Sequence, residues 1–229
     1  MKTPLCDLLN IEYPIIQGAM ARITDGKFAA AVSNAGALGV IRCGFSTPEN
    51  MREQIRICKS LTDKPFGVNI ILVNRNAEQI ADVIIEEQVP VCTLSAGNPA
   101  PFVTKLSEAG VKVFVLVPHA RAAAKMEKLG AAGVICEGLE GGGIIGAMTT
   151  LPLVAQVVEA VSIPVVAAGG FATGKSILGA LAMGCVGVQM GTAFLATEEC
   201  CVSDAYKQMI IEAKDNATTT IANPREGTE

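Results

Sequence analysis

The amino-acid sequence predicts a closed (β/α)₈ barrel, and three observations carry that prediction. Eight short β-branched runs alternate with eight segments whose apolar residues recur at helical spacing. The runs are apolar on both faces, as strands of a parallel sheet covered by helices must be. Eight such units within about 215 of the 229 residues lie at the lower end of the size range for this barrel. No long insertion breaks them up in favour of an open, doubly wound sheet.

Taken in order, the strands are expected at 14–18, 38–41, 66–72, 91–95, 112–117, 133–137, 164–169 and 187–191. The helices are expected at 27–34, 48–60, 77–88, 100–109, 121–129, 151–161, 175–183 and 203–214. Punctuation residues agree with this register. Gly36, Gly110, Gly130 and Gly184 stand where a helix must stop before the next strand. Pro65 and Pro164 open strands, where a missing N–H is tolerated. One barrel over 1–215, followed by a polar, frayed tail over 216–229, is the expected organisation.

Composition narrows the function classes. With 18 Lys+Arg against 22 Asp+Glu, the net charge of −4 offers no basic footprint for nucleic acid or an anionic membrane. Half of the residues are apolar and 17% charged, which excludes a disordered chain. Two Tyr, seven Phe and no Trp leave no stacking platform for single-stranded nucleic acid. Residues 1–12 lack a signal-peptide core and the longest apolar runs are too short for a bilayer, so the expected location is the cytoplasm. The eight cysteines form no CxxC pair, and Cys92, Cys136 and Cys185 sit in apolar runs as small buried hydrophobes. With a single histidine, no metal site is expected.

In such a barrel the chemistry lies at the carboxyl ends of the strands. Those ends read Gln17-Gly18-Ala19-Met20, Asn69, Ser95-Ala96-Gly97-Asn98, Pro118-His119, Glu137-Gly138, Ala168-Gly169-Gly170 and Gln189-Met190-Gly191-Thr192. Glycine is too frequent there for turns alone; it lets backbone approach a flat or anionic ligand. The last two ends, together with the helix that begins near Gly174, are placed to offer backbone N–H groups and a helix N-terminus to a phosphate. The glycine-rich stretch 137–146 reads as a loop that closes over or wraps a ligand. Within it Glu140 reads as a solvated charge.

The ordered segments YPIIQGAMA, DKPFGVNI, SAGNP, MEKLGAAGVICEG, EGGG, IPVVAAGGFATG and VQMGTAFLATEEC resemble the FMN-dependent enoyl-ACP reductase II and nitronate monooxygenase family. The resemblance runs from about Leu5 to Lys214 and is nearest to the reductase branch. It implies FMN as cofactor and NAD(P)H as co-substrate. It implies a small-molecule or acyl-thioester substrate, no nucleic-acid or membrane partner, and is compatible with a homodimer. Gly18, Ala19 and Met20 match the loop against the flavin ring, and Asn69 with Ser95, Ala96, Gly97 and Asn98 match positions around it. Gly142 and Gly143 match the edging loop. Ala168, Gly169 and Gly170, with Gln189, Met190, Gly191 and Thr192, match the phosphate cradle.

Two departures from the family pattern bear on activity. The family places its catalytic histidine directly after the loop glycines, where this chain has Ile144, and an isoleucine transfers no proton. His119 and Glu137 are then the remaining candidates for proton transfer. Family members also continue past the eighth helix into a segment that covers the flavin, so a wetter flavin is expected here. Two alternatives stay open from sequence: a catalytically impaired FMN-binding barrel, and a barrel that binds another phosphate ligand.

Overall fold

The computed structural model describes residues 1–143 and 145–220. β-Branched and aromatic residues build eight strands: β1 (Ile15–Gln17), β2 (Gly39–Arg42), β3 (Phe66–Ile71), β4 (Val91–Ser95), β5 (Lys112–Val117), β6 (Gly133–Glu137), β7 (Val165–Ala168) and β8 (Gly187–Met190). Ten helices accompany them among the described residues. They are α1 (Pro4–Leu9), α2 (Gly26–Asn34), α3 (Pro48–Leu61), α4 (Ala77–Glu86), α5 (Ala100–Glu108), α6 (Ala120–Lys128), α7 (Thr150–Ala160), α8 (Gly174–Ala182), α9 (Thr192–Leu195) and α10 (Asp204–Ile211).

All neighbouring strands are parallel, in the order β1-β8-β7-β6-β5-β4-β3-β2, and the sheet curls until its two outer strands meet. The closing seam is short. Ile16 bridges Leu38, the Gln17 N–H donates to the Leu38 carbonyl at 2.9 Å, and the Leu38 N–H donates to the Ile15 carbonyl at 2.9 Å. One further donor is satisfied by a side chain: the Val40 N–H reaches Oε1 of the fully buried Gln17 at 3.0 Å. Gln17, expected on the rim, is thus a fastener of the barrel. An unpaired buried N–H at this seam would cost about 1–3 kcal/mol.

Strand alternation sorts the core into two layers. Ile16, Leu38, Val40, Phe114, Ile135, Val166 and Ala168 fill the barrel interior, while Ile41, Val68, Cys92, Val113, Cys136 and Val188 pack outward against the helices. Helix packing on β2 is close enough to require glycine: a Cβ on Gly39 would sit 2.0 Å from the Ala29 carbonyl oxygen of α2. Seven of the eight cysteines are buried and free, with Cys201 exposed.

Two helices were not expected from the sequence. In α1, Pro4 opens the helix, and Leu5, Cys6 and Leu9 join the interior cluster, plugging the amino-terminal end of the barrel. The Thr3 hydroxyl fastens it by donating to the Val186 carbonyl at 2.6 Å. The other, α9, is a single turn directly after β8. Of the tail, 216–220 is exposed and without regular structure, and 221–229 lies outside the described residues. No helix among the described residues is long and apolar enough to cross a membrane.

Candidate functional site

The same alternation that packs the barrel decides which side chains reach its mouth. Inward positions toward the carboxyl ends include Gly18, Arg42, Asn69, Ser95, Leu116, Glu137, Ala168 and Gln189. Register fixes their neighbours: Arg42 pairs with Asn69, Asn69 with Thr93, Glu137 with Ala168, and Ala168 with Gln189. The aliphatic interior therefore gives way to a polar ring at one end only.

Asn69 is held firmly in that ring. Its Nδ2 donates to the Thr93 carbonyl at 3.2 Å, to Thr93 Oγ1 at 3.1 Å and to Ser95 Oγ at 3.2 Å. Ser95 thus acts on Asn69. The rest of its turn serves the backbone: Ala96 has a left-handed φ of 51°, and a Cβ on Gly97 would approach Leu72 Cβ to 2.6 Å. Asn98 Oδ1 accepts from the Ala100 N–H at 3.3 Å and so starts α5.

Glu137 is the acidic member of the ring. No hydrogen bond or ion pair engages its carboxyl among the described residues, and burial alone pushes it up to about 7. A Cβ on Gly141 would stand 2.5 Å from Glu137 Oε1, so the glycine-rich loop lies directly against this carboxyl. At neutral pH Glu137 is poised between its acid and its base form.

The loop after β6 is more ordered than its composition suggests. The Gly138 N–H donates to the Ala168 carbonyl at 3.1 Å, and the Leu139 N–H to the Met148 carbonyl at 2.9 Å. Glu140, expected to be a solvated charge, instead takes the N–H and the hydroxyl of Thr150 at 2.8 Å each, at the start of α7. Burial pushes its carboxyl up, but the Thr150 bonds outweigh this and hold it below its ordinary range. A carboxylate at a helix start is favoured by the helix dipole. Thr150 Oγ1 lies 3.1 Å from the Gly169 carbonyl, which ties the loop to the end of β7.

The glycines consequently fall into two groups. Gly138, Gly141 and Gly169 permit close packing: an added Cβ would meet Thr150 Oγ1 at 2.3 Å from Gly138 and at 2.8 Å from Gly169. Gly142, Gly143, Gly174 and Gly191 border open space, the last meeting only Met20 Sδ at 3.8 Å. Met20, Gly18 and Gln189 gather around that point, since a Cβ on Gly18 would touch Gln189 Cγ at 3.3 Å. Next to it, α8 begins with a capping box between Thr173 and Ser176, leaving the N–H groups of Gly174 and Lys175 without intrahelical acceptors.

His119 is engaged elsewhere. It is the N-cap of α6, and its Nδ1 accepts from the Ala122 N–H at 3.0 Å. Ile144 lies outside the described residues. Arg42 is the ring member that sequence reasoning missed, because it reads as the polar end of an apolar run. Counting alternate positions back to Val40 and Leu38 would have placed it inside.

The sequence model described as nitronate monooxygenase matches residues 2–83 and 74–229. The chain belongs to the nitronate monooxygenase family. A family relative, a probable nitronate monooxygenase of Staphylococcus aureus, is 34% identical over 263 residues, covering 95% of this chain and 74% of the relative. A Rhodococcus jostii protein named 5-hydroxy-7a-methyl-1-oxo-octahydro-1H-indene-4-carboxyl-CoA dehydrogenase is 37% identical over 99% of this chain. The chain spans 64% of that relative's length. Among solved structures, FabK from Thermotoga maritima superposes with a TM-score of 0.91 at 47% identity, covering 93% of this chain and 68% of FabK.

Proposed function

We propose that this chain is an FMN-dependent oxidoreductase that holds its flavin at the carboxyl-terminal mouth and reduces an unsaturated acyl thioester with electrons from NAD(P)H. The observation that carries the reading is the backbone-lined opening at the ends of β7 and β8. Gly174 and Gly191 border open space, and the first N–H groups of α8 have no intrahelical acceptors, as an anion site requires. The residues present fit FMN: that opening suits its phosphate, while Asn69 and Gln189 are placed for the polar edge of a ring lying over Gly18 and Met20. Bound FMN would supply two-electron transfer chemistry; the protein's part is to bind, orient and move a proton.

Glu137 fills the proton role in this reading. Its carboxyl stands at the inward carboxyl end of β6 against the glycine-rich loop, has no competing partner among the described residues, and by burial holds a proton up to about pH 7. An enoyl thioester that gains a hydride must also gain a proton at the carbon next to the carbonyl, and Glu137 provides it. Ile144 provides none, so the burden falls on this carboxyl. The thioester class is favoured over a nitronate by the 47% identity to FabK against 34% to the nitronate monooxygenase, and by the acyl-CoA in the name of the Rhodococcus relative.

Anaerobic addition of NADH to the FMN-loaded protein tests the reading. The flavin absorbance band is expected to bleach, and to return when an enoyl thioester is added. A band that stays unbleached with both NADH and NADPH would remove nicotinamide from the reaction and favour nitronate oxidation.

A further inference from the structure

Arg42 ends β2 at a position whose register faces the barrel interior. Leu38 and Val40 on the same face belong to the interior cluster, Ile41 belongs to the outer one, and Gly39 faces α2. Its register partner Asn69 is already bonded to Thr93 and Ser95. The guanidinium bends along the loop after β2, where Nη1 donates to Ser46 Oγ at 3.3 Å. Its Nε is fully buried and, among the described residues, has no acceptor. No carboxylate there lies within ion-pair distance; the salt bridges of the described residues join α3 to the carboxyl end of α4 and its C-cap Glu87, and α4 to α5.

A desolvated, charged donor without an acceptor is costly, and native proteins keep such groups where something else completes them. Glu137 is not that partner. It stands on β6, four strands around the barrel from β2. The mouth is therefore polarised, with a fixed cation on the β2 side and a protonatable carboxyl opposite. Guanidinium suits planar oxyanions, to which it donates two parallel N–H groups.

We infer that Arg42 is a binding residue for a planar, delocalised oxyanion seated in the barrel mouth. Two sources share that chemistry: the pyrimidine edge of a reduced, anionic flavin, and a substrate oxyanion such as the enolate of a thioester. The flavin source rests on the function proposed above; the anion site itself does not.

The test compares wild type with Arg42→Met, which keeps length and loses charge, and with Arg42→Lys, which keeps charge and loses the planar fork. Nitrate, a planar oxyanion, is titrated by calorimetry into the protein with and without FMN. The ratio of affinities for reduced and oxidised FMN is measured alongside. Arg42→Met is expected to weaken nitrate binding or to lower the reduced-over-oxidised ratio by on the order of tenfold or more, the size of one charge-assisted hydrogen bond. Arg42→Lys recovers part of the loss. A fall in the ratio alone assigns the oxyanion to the flavin; a fall in nitrate binding alone assigns it to substrate. The melting temperature of the ligand-free Arg42→Met protein is expected to stay level or rise, since an unpaired buried donor has been removed. Nitrate binding and an FMN ratio both unchanged in a folded Arg42→Met protein would overturn the inference. A wild type that binds nitrate but no FMN would instead overturn the flavin reading and leave the anion site standing.

Discussion

Replacing Glu137 by Gln is expected to lower thioester reduction by a factor on the order of 10²–10⁴, the usual contribution of a positioned proton donor, while FMN still binds. Glutamine preserves the shape against Gly141 and removes only the transferable proton. The same variant has a stability signature that a merely misfolded site would not produce. Burial raises the Glu137 carboxyl from 4.5 to about 7 in the folded protein. Below pH 4.5 both folded and unfolded chains hold the proton, and the buried group costs nothing. Between 4.5 and 7 the unfolded chain releases it while the folded chain retains it, so wild-type stability falls as pH rises. Above 7 the full penalty, about 3 kcal/mol, is in place. Glu137→Gln should therefore match wild type at pH 4 and exceed its stability at pH 8, measured by urea unfolding of the flavin-free protein. Equal pH dependence in the two proteins would place the carboxyl in water and remove it from the proton role.

Replacing Gly191 by Leu is expected to weaken FMN binding by about 100-fold, the loss of one or two charge-assisted bonds at about 1.5–3 kcal/mol each. The backbone at Gly191 has a φ of −116°, which any residue adopts, and an added side chain enters open space beside Met20. Folding of the flavin-free protein should be unaffected. Gly169→Ala should behave in the opposite way. Its φ of 100° and the 2.8 Å approach to Thr150 Oγ1 make any side chain strained, so stability falls by about 1–3 kcal/mol. Thermal melts with flavin titrations separate the two glycine classes. Loss of stability in Gly191→Leu, with FMN affinity intact, would show that the opening at β8 serves packing.

These two classes also show how much of the molecule was legible in its sequence. The strands were readable because a barrel buries both faces of every strand, and a run such as Lys112–Val117 has no other stable use. Which side chains stand at the carboxyl-terminal mouth was readable for the same reason: alternation and chain direction fix it. Glycine count was a cruder guide. It marked the ends of β6 and β7 as ligand-facing, whereas Gly138, Gly141 and Gly169 are small so that the loop can lie on Thr150 and Glu137. That packing rests on the Glu140–Thr150 contact, ten residues apart and without periodicity, so no pattern announced it. Helix α1 escaped notice because six residues are too few for a helical repeat to stand out. Arg42 escaped because its significance lies in what it lacks, an acceptor, and a missing partner appears only when the neighbours are in place. The conflict at Glu137, an acid in an aliphatic strand, was visible, and local conflicts of this kind are where function is expected.

The proposed function depends on a flavin seated in the mouth. Titrating FMN with the protein, followed by flavin fluorescence, tests this most directly. Saturation at one flavin per chain, with the midpoint moved to about 100-fold higher concentration in Gly191→Leu, is the predicted result. Fluorescence that remains that of free FMN throughout the titration, from a folded wild-type protein, would contradict it.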